Sequence, residues 1–268
     1  YAARFACLLR PMILPDTADP HDLSLPILYQ DEHLVAVHKP SGLLVHRSPI
    51  DRQETRFALQ TVRNQLGRHV YGVHRLDKGT SGILLFALSP EAGRTLSQAF
   101  EAQQVDKRYL AVVRGWPDAQ GEIDYPLSRQ PDEREPGPVT PAPPQSAHSS
   151  YQRLATVELP VAVERYPSSR YALLALTPHT GRRHQLRRHL KHISHPIIGD
   201  ATHGRGRHNR MFAERFAVNR LLLAATGLRL PHPVSGETLT LHCPPSAEFL
   251  YVLTELGWGD AWQDASRL

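Results

Sequence analysis

Residues 74–86, HRLDKGTSGILLF, place an arginine and an aspartate two positions apart, Arg75 and Asp77, in a polar, glycine-containing turn that runs into an apolar strand. A buried strand anchors such a turn while the side chains on it stay accessible, which suits a reactive group. A carboxylate there can attack as a nucleophile or move a proton. The residue types leave a second reading open, because Asp in a turn commonly bonds its own backbone two residues on. A second concentration of chemistry lies at 182–210, where eight Arg or Lys and six His accompany a single acid, Asp200. Its leading part holds Arg182, Arg183, His184, Gln185, Arg187, Arg188 and Lys191. Such a field attracts a polyanion, since phosphate contacts dominate nucleic-acid affinity; a solvated basic face is the alternative. His184, His189, His192 and His195 raise the question of a metal site. Pro196 ends their helix, HExxH is absent and no thiolate lies near, so no metal is expected.

Elements must hold these groups in place. ILYQ (27–30) and LVAVH (34–38) read as short strands around the polar DEH, and KPSGL after them marks a loop. Residues 57–66 have helical spacing, and 83–88 is an apolar run of strand length. Ser89, Pro90 and Glu91 supply an N-cap, a first-position proline and a first-turn acid for a helix ending by Gln104. Strands are expected at 108–113, 151–159 and 170–177. A helix after Thr180 and Gly181 carries the apolar stripe Leu186, Leu190 and Ile193. At 100° per residue Arg187 falls at the stripe's edge, where it can point into a cleft. A strand pair, 221–230 and 238–242, surrounds the turn HPVSGE, and a last helix, capped by Ser246, stops at Gly257. Strands with irregularly interspersed helices point to an α+β fold with a mixed, largely antiparallel central sheet.

The chain has 268 residues, 41% hydrophobic and 21% charged, enough for a sizeable core. The expected organisation is an N-terminal extension at 1–24, one catalytic domain at 25–257 with a Pro-rich surface loop at 131–150, and a C-terminal tail at 258–268. No run approaches the roughly 18–20 apolar residues of a membrane span, and the opening YAARFACLLRPMILPDT is too broken for a secretory signal, so a cytoplasmic location is expected. Cys7 and Cys243 form neither a disulfide framework nor a metal spacing. With no coiled-coil seam, a monomer is the expectation.

HRLDKGTSG resembles the catalytic motif of the RluA-type pseudouridine synthases: HRLD, two variable residues, then TSG. Three further blocks match in order, HKPSGLLVH (38–46), KRYLAVVRG (107–115) and TGRRHQLRRHLKHISHPIIGD (180–200). The resemblance implies the pseudouridine synthase fold, with flanking helices and loops forming a catalytic cleft. It implies an isomerase that detaches uracil from ribose and rejoins it through carbon, without cofactor, on a base flipped out of its helix. By the same resemblance Asp77 is the catalytic carboxylate, Arg187 its ion-pair partner, and Tyr109 the ring that packs on uracil and a candidate general base. Arg75 fills the space the base vacates. Lys39, Pro40 and Gly42 shape a cleft wall with phosphate contacts, and Arg182, Arg183, His184, Gln185, Arg188 and Lys191 bind RNA. Read from residue types alone, Arg187 is a surface helix arginine, the usual fate of such a residue, and Tyr109 a buried strand aromatic, which overlaps with a pocket wall. The wording at 43–54, 166–171 and 200–219 looks most like the branch that modifies uridine 65 of tRNA, so tRNA is the expected partner. The alternatives are a related synthase acting on ribosomal RNA, or an RNA-binding protein without catalysis. Two positions depart from the family pattern: His38 stands where Asn is frequent, and Ala224 where His is frequent.

Overall fold

The computed structural model of the chain describes residues 24–47, 54–130 and 143–263. Most of the expected N-terminal extension, residues 131–142 of the Pro-rich stretch and the end of the tail lie outside these.

The chain opens on a hairpin, β1 (Ile27–Gln30) and β2 (Leu34–Lys39). Asp31 closes its turn, Oδ1 accepting from the amides of His33 and Leu34. Helix α1 (Ala58–Leu66) and the two-residue β3 (Tyr71–Gly72) lead to β4 (Ser81–Ala87), which is buried along its whole length. Helix α2 (Pro90–Glu101) starts as its sequence requires, with Ser89 Oγ accepting from the Ala92 amide. Then follow β5 (Asp106–Arg114), β6 (Gln120–Asp124), β7 (His148–Leu159), β8 (Ser169–Pro178), α3 (Gln185–His192), α4 (Gly206–Phe216), β9 (Leu223–Pro231), β10 (Thr238–His242) and α5 (Ala247–Glu255).

One ten-stranded sheet runs β1-β2-β4-β9-β5-β8-β7-β6, with β10 beside β9 and β3 beside β4. Every pair is antiparallel except β4–β9, so the sheet is mixed and largely antiparallel as expected. Alternation along each strand divides the core between the two faces. On β5, Leu110 and Val112 face one side, where α4 and α5 pack; Ala111 and Val113 face the other, with Leu186 and Leu190 of α3. On β2, Leu34 and Ala36 meet α2, whereas Val35 and Val37 meet α1. Tyr109 packs against both clusters of the α1–α3 face, and the cleft opens at that seam.

Four features differ from the sequence reading. Strand β7 begins at His148, inside the stretch assigned to a surface loop, and Ala147 and Ser149 are buried. Helix α4 was not foreseen: GRHNRMFAERF reads as a basic run, yet His208, Met211, Phe212 and Phe216 form one buried stripe. Trp258, assigned to the tail, packs in the core just past Gly257, whose φ of 75° stops α5. Ser246 precedes α5 but makes no side-chain cap, its hydroxyl accepting instead from Arg220 Nη1 at 2.7 Å.

Candidate active site

Asp77 sits at the start of a tight turn closed by Thr80 N bonding Asp77 O at 3.0 Å. The loop after β2 braces that turn. Gly42 N and Lys39 Nζ both donate to Lys78 O, at 2.8 and 3.2 Å, and Ser41 Oγ donates to Gly79 O at 2.7 Å. Lys39 therefore departs from its expected phosphate-contacting role. It is fully buried, and its ammonium also donates to Pro40 O and Leu43 O, so its three donors have three carbonyl acceptors. Burial still draws its pKa down to about 7. His74, just before the turn, accepts the Leu85 amide of β4 at Nε2, next to where the short β3 leaves the ladder, and stacks on Phe100. Burial holds that imidazole neutral, its pKa lowered to about 3. Behind the turn, Gly82 lies at φ 112°, where a Cβ would come 2.0 Å from Ala225 O. Only glycine lets β4 approach β9 this closely.

Arg187 arrives from the opposite wall. The loop before α3 is pinned by Gln185: Oε1 accepts from Thr180 Oγ1 and Arg182 N, and Nε2 donates to His148 O and Ser149 Oγ. Gln185 lines the cleft while its side-chain amide is taken up within the fold. Helix α3 starts there, later than the sequence suggests, after His184 in a left-handed conformation at φ 53°. In its first turn, Arg187 Nη1 donates to Asp77 Oδ2 at 3.1 Å, while Nε and Nη2 form a fork with Asp200 at 2.7 and 2.9 Å. Asp200 has a fully buried side chain and also accepts the amides of Thr202 and His203. Burial alone would raise its pKa; the bonds from Arg187 and the two amides outweigh that and lower it. Gly199 before it, at φ 79°, would carry a Cβ 1.7 Å from Arg220 O. Asp200 was not singled out as a site residue, although it is the one acid in the basic stretch.

These groups share a cleft of about 510 Å³, of the size that holds a small ligand. Asp77, Arg187, Tyr109, Arg75, Arg182, His184 and Gln185 line it, together with Lys107 and Thr180, which sequence reasoning passed over. Asp77 Oδ1 accepts no hydrogen bond from the described residues, and His184 Nε2 lies 3.9 Å from it. Burial depresses the His184 pKa, leaving a neutral ring that meets His203 at 3.1 Å. Burial, followed by the charge of Asp77, raises the Tyr109 phenol above its ordinary range. Arg183, Arg188 and Lys191 are not part of the cleft lining: Arg188 bonds Ser128 O and Lys191 is exposed on the outer side of α3. The histidines expected near one another separate, His189 bonding Ser149 and Tyr125, His192 stacking on Tyr125 and His195 reaching Arg114 O. Among the described residues no three His, Cys, Asp or Glu side chains gather as a metal site, and no helix is long and apolar enough to cross a membrane.

A carboxylate oxygen facing a ligand-sized cleft, backed by a fixed guanidinium and an aromatic wall, can attack an electrophilic carbon or promote cleavage of a glycosidic bond. The RNA pseudouridylate synthase family model matches residues 33–192. The chain is 54% identical to tRNA pseudouridine synthase C of Pectobacterium carotovorum subsp. carotovorum across 87% of its own length and 62% of that protein's. It is 52% identical to tRNA pseudouridine synthase C of Yersinia pestis, across 87% of this chain and 91% of that one. The structure of Human RNA Pseudouridylate Synthase Domain Containing 4 superposes with a TM-score of 0.65 at 26% identity, over 87% and 93% of the two chains. With the family model covering well over half of its length and relatives this similar, the chain belongs to the RNA pseudouridylate synthase family.

Proposed function

We propose that this enzyme isomerises a uridine in the T stem of tRNA, at position 65, with Asp77 as the catalytic carboxylate. The observation that carries the reading is the meeting of Asp77, Arg187 and Tyr109, from three distant parts of the chain, in one cleft. The relatives named as tRNA pseudouridine synthases support the tRNA substrate over ribosomal RNA. Retention of a complete set of polar groups around an unengaged carboxylate oxygen supports catalysis over RNA binding alone.

In the reaction the bond between uracil N1 and the ribose anomeric carbon breaks, the base rotates, and carbon 5 takes its place; the proton lost from carbon 5 balances the one gained at N1. Neither redox change nor hydrolysis enters, and the chemistry calls for no cofactor. Asp77 Oδ1 attacks either the anomeric carbon or carbon 6 of uracil, both routes beginning from the same oxygen. Arg187, anchored by Asp200, fixes that carboxylate in place before substrate arrives. Tyr109 packs its ring on uracil, and its hydroxyl, kept protonated by burial and by Asp77, relays the proton lost from carbon 5. Arg75 takes the place of the extruded base, and Arg182 and His184 flank the entering strand, with Arg183, Arg188 and Lys191 drawing the RNA from outside the cleft.

The test is incubation of the protein, without added metal, with unmodified tRNA and with ribosomal RNA, followed by carbodiimide-stop sequencing. One new stop in the tRNA T stem is expected. A stop only in ribosomal RNA would overturn the substrate, and none in either would overturn the activity.

A further inference from the structure

The cleft contains a cation that the scheme above leaves unused. Lys107 and Tyr109 both line the cavity and lie two residues apart on β5, about 7 Å along an extended strand. The pairing of β5 with β9 shifts register between Arg108 and Tyr109, with Thr226 as the extra residue opposite, a bulge of the kind that re-aims side chains beside a site.

The ammonium of Lys107 is poorly coordinated for its position. It is half-buried, and among the described residues its one hydrogen bond is a long one, 3.4 Å to Thr180 O. The acid that acts on it through space, Asp106, is engaged by Arg229 at 2.6 and 2.8 Å. Burial lowers the Lys107 pKa, as expected of a desolvated cation without adequate partners. Lys39 offers the contrast within the same molecule: a buried ammonium with three carbonyls at 2.8 to 3.2 Å has no donor left to offer. Lys107 has donors to offer, and the residue borders the cavity.

An RNA substrate brings one phosphate per nucleotide. A uracil stacked on Tyr109 carries its phosphate about one nucleotide's length away, comparable to the separation between Tyr109 and Lys107. We infer that Lys107 is a phosphate-binding residue, receiving a backbone phosphate of the nucleotide whose base packs on Tyr109. This rests on the function proposed above and adds a subsite to it. The phosphate completes the coordination of the ammonium and fixes the sugar against Asp77.

The test compares wild type, Lys107→Gln and Lys107→Arg on the RNA substrate between 50 and 200 mM salt. Lys107→Gln should raise KM about tenfold while kcat falls less than threefold, and should flatten the plot of log(kcat/KM) against log salt by about 0.7–0.9, one phosphate contact. Lys107→Arg should restore the slope. An unchanged slope in Lys107→Gln, or a collapse of kcat at constant KM, overturns the inference, the former pointing to a wall contact through Thr180 alone. If the wild type proves inactive, the functional reading fails separately. The same salt slopes are then read from filter binding of the RNA, and an unchanged slope again refutes the phosphate contact.

Discussion

A guanidinium holds five N–H donors in one plane, and Arg187 divides them unequally: a two-point fork to Asp200 and a single bond to Asp77. One positive charge thus stands between two carboxylates, leaving a net negative charge whose exposed part is Asp77 Oδ1. Asp200 acts through Arg187 and is a positioning residue. Asp200→Asn should lower kcat by roughly 10- to 100-fold with KM changed less than threefold. It should also lower the unfolding free energy by about 3–5 kcal/mol, because a buried pair is broken on one side only. Steady-state kinetics and denaturant melts measure both, and wild-type kcat in a destabilised protein would reduce Asp200 to a structural role. At Tyr109 the ring and the hydroxyl have separable tasks. Tyr109→Phe should bind RNA within about threefold of wild type and lose at least about 100-fold in kcat, whereas near-normal turnover would remove the hydroxyl from the reaction.

The elements that carry these residues meet through two glycines. At Gly82 and Gly199 a Cβ would collide with a carbonyl oxygen, so no side-chain rearrangement relieves it. Gly82→Ala and Gly199→Ala should each cost about 3 kcal/mol or more. Gly42→Ala, at φ 84° with open space around it, should cost only about 1–2 kcal/mol. Thermal melts of the three variants test that order, and equal losses would contradict it. The strands with clean apolar runs, such as β4, and the capped α2 were legible in the sequence, since local pattern and cap chemistry decide them. Helix α4 was not, because Arg207, Arg210, Glu214 and Arg215 interleave with its buried stripe. The Asp77, Arg187 and Tyr109 positions were legible through their motifs. The contributions of Asp200 and Gln185 were not, since they depend on contacts across loops, and Lys39 was misread because a lysine in a basic protein suggests solvent while its burial follows from the fold.

Over the whole molecule, helices cover both faces of one sheet and the cleft opens on one of them, so histidines become buried in neutral form on both sides. Burial, reinforced by Arg220 and Lys39, lowers the His38 pKa to about 4; burial lowers His74 to about 3 and His184 in the same direction. The unfolded chain binds protons at these sites below about pH 6.5 and the folded one does not, so stability is full above that pH and is lost as pH falls toward 4. His38 and His74 should each account for roughly 1–2 kcal/mol between pH 7 and 5. Lowered carboxylates such as Asp31 and Asp200 act below that window, as pH falls from about 4. Denaturant unfolding at pH 7, 6 and 5 should show a progressive loss, and a flat profile would contradict the buried neutral histidines. The central claim concerns Asp77, and the most direct measurement is single-turnover pseudouridine formation by Asp77→Asn, with RNA affinity measured on the same preparation. A loss of at least about 1000-fold in rate at an affinity within threefold of wild type is predicted. Turnover within tenfold of wild type by a folded Asp77→Asn protein would contradict the assignment.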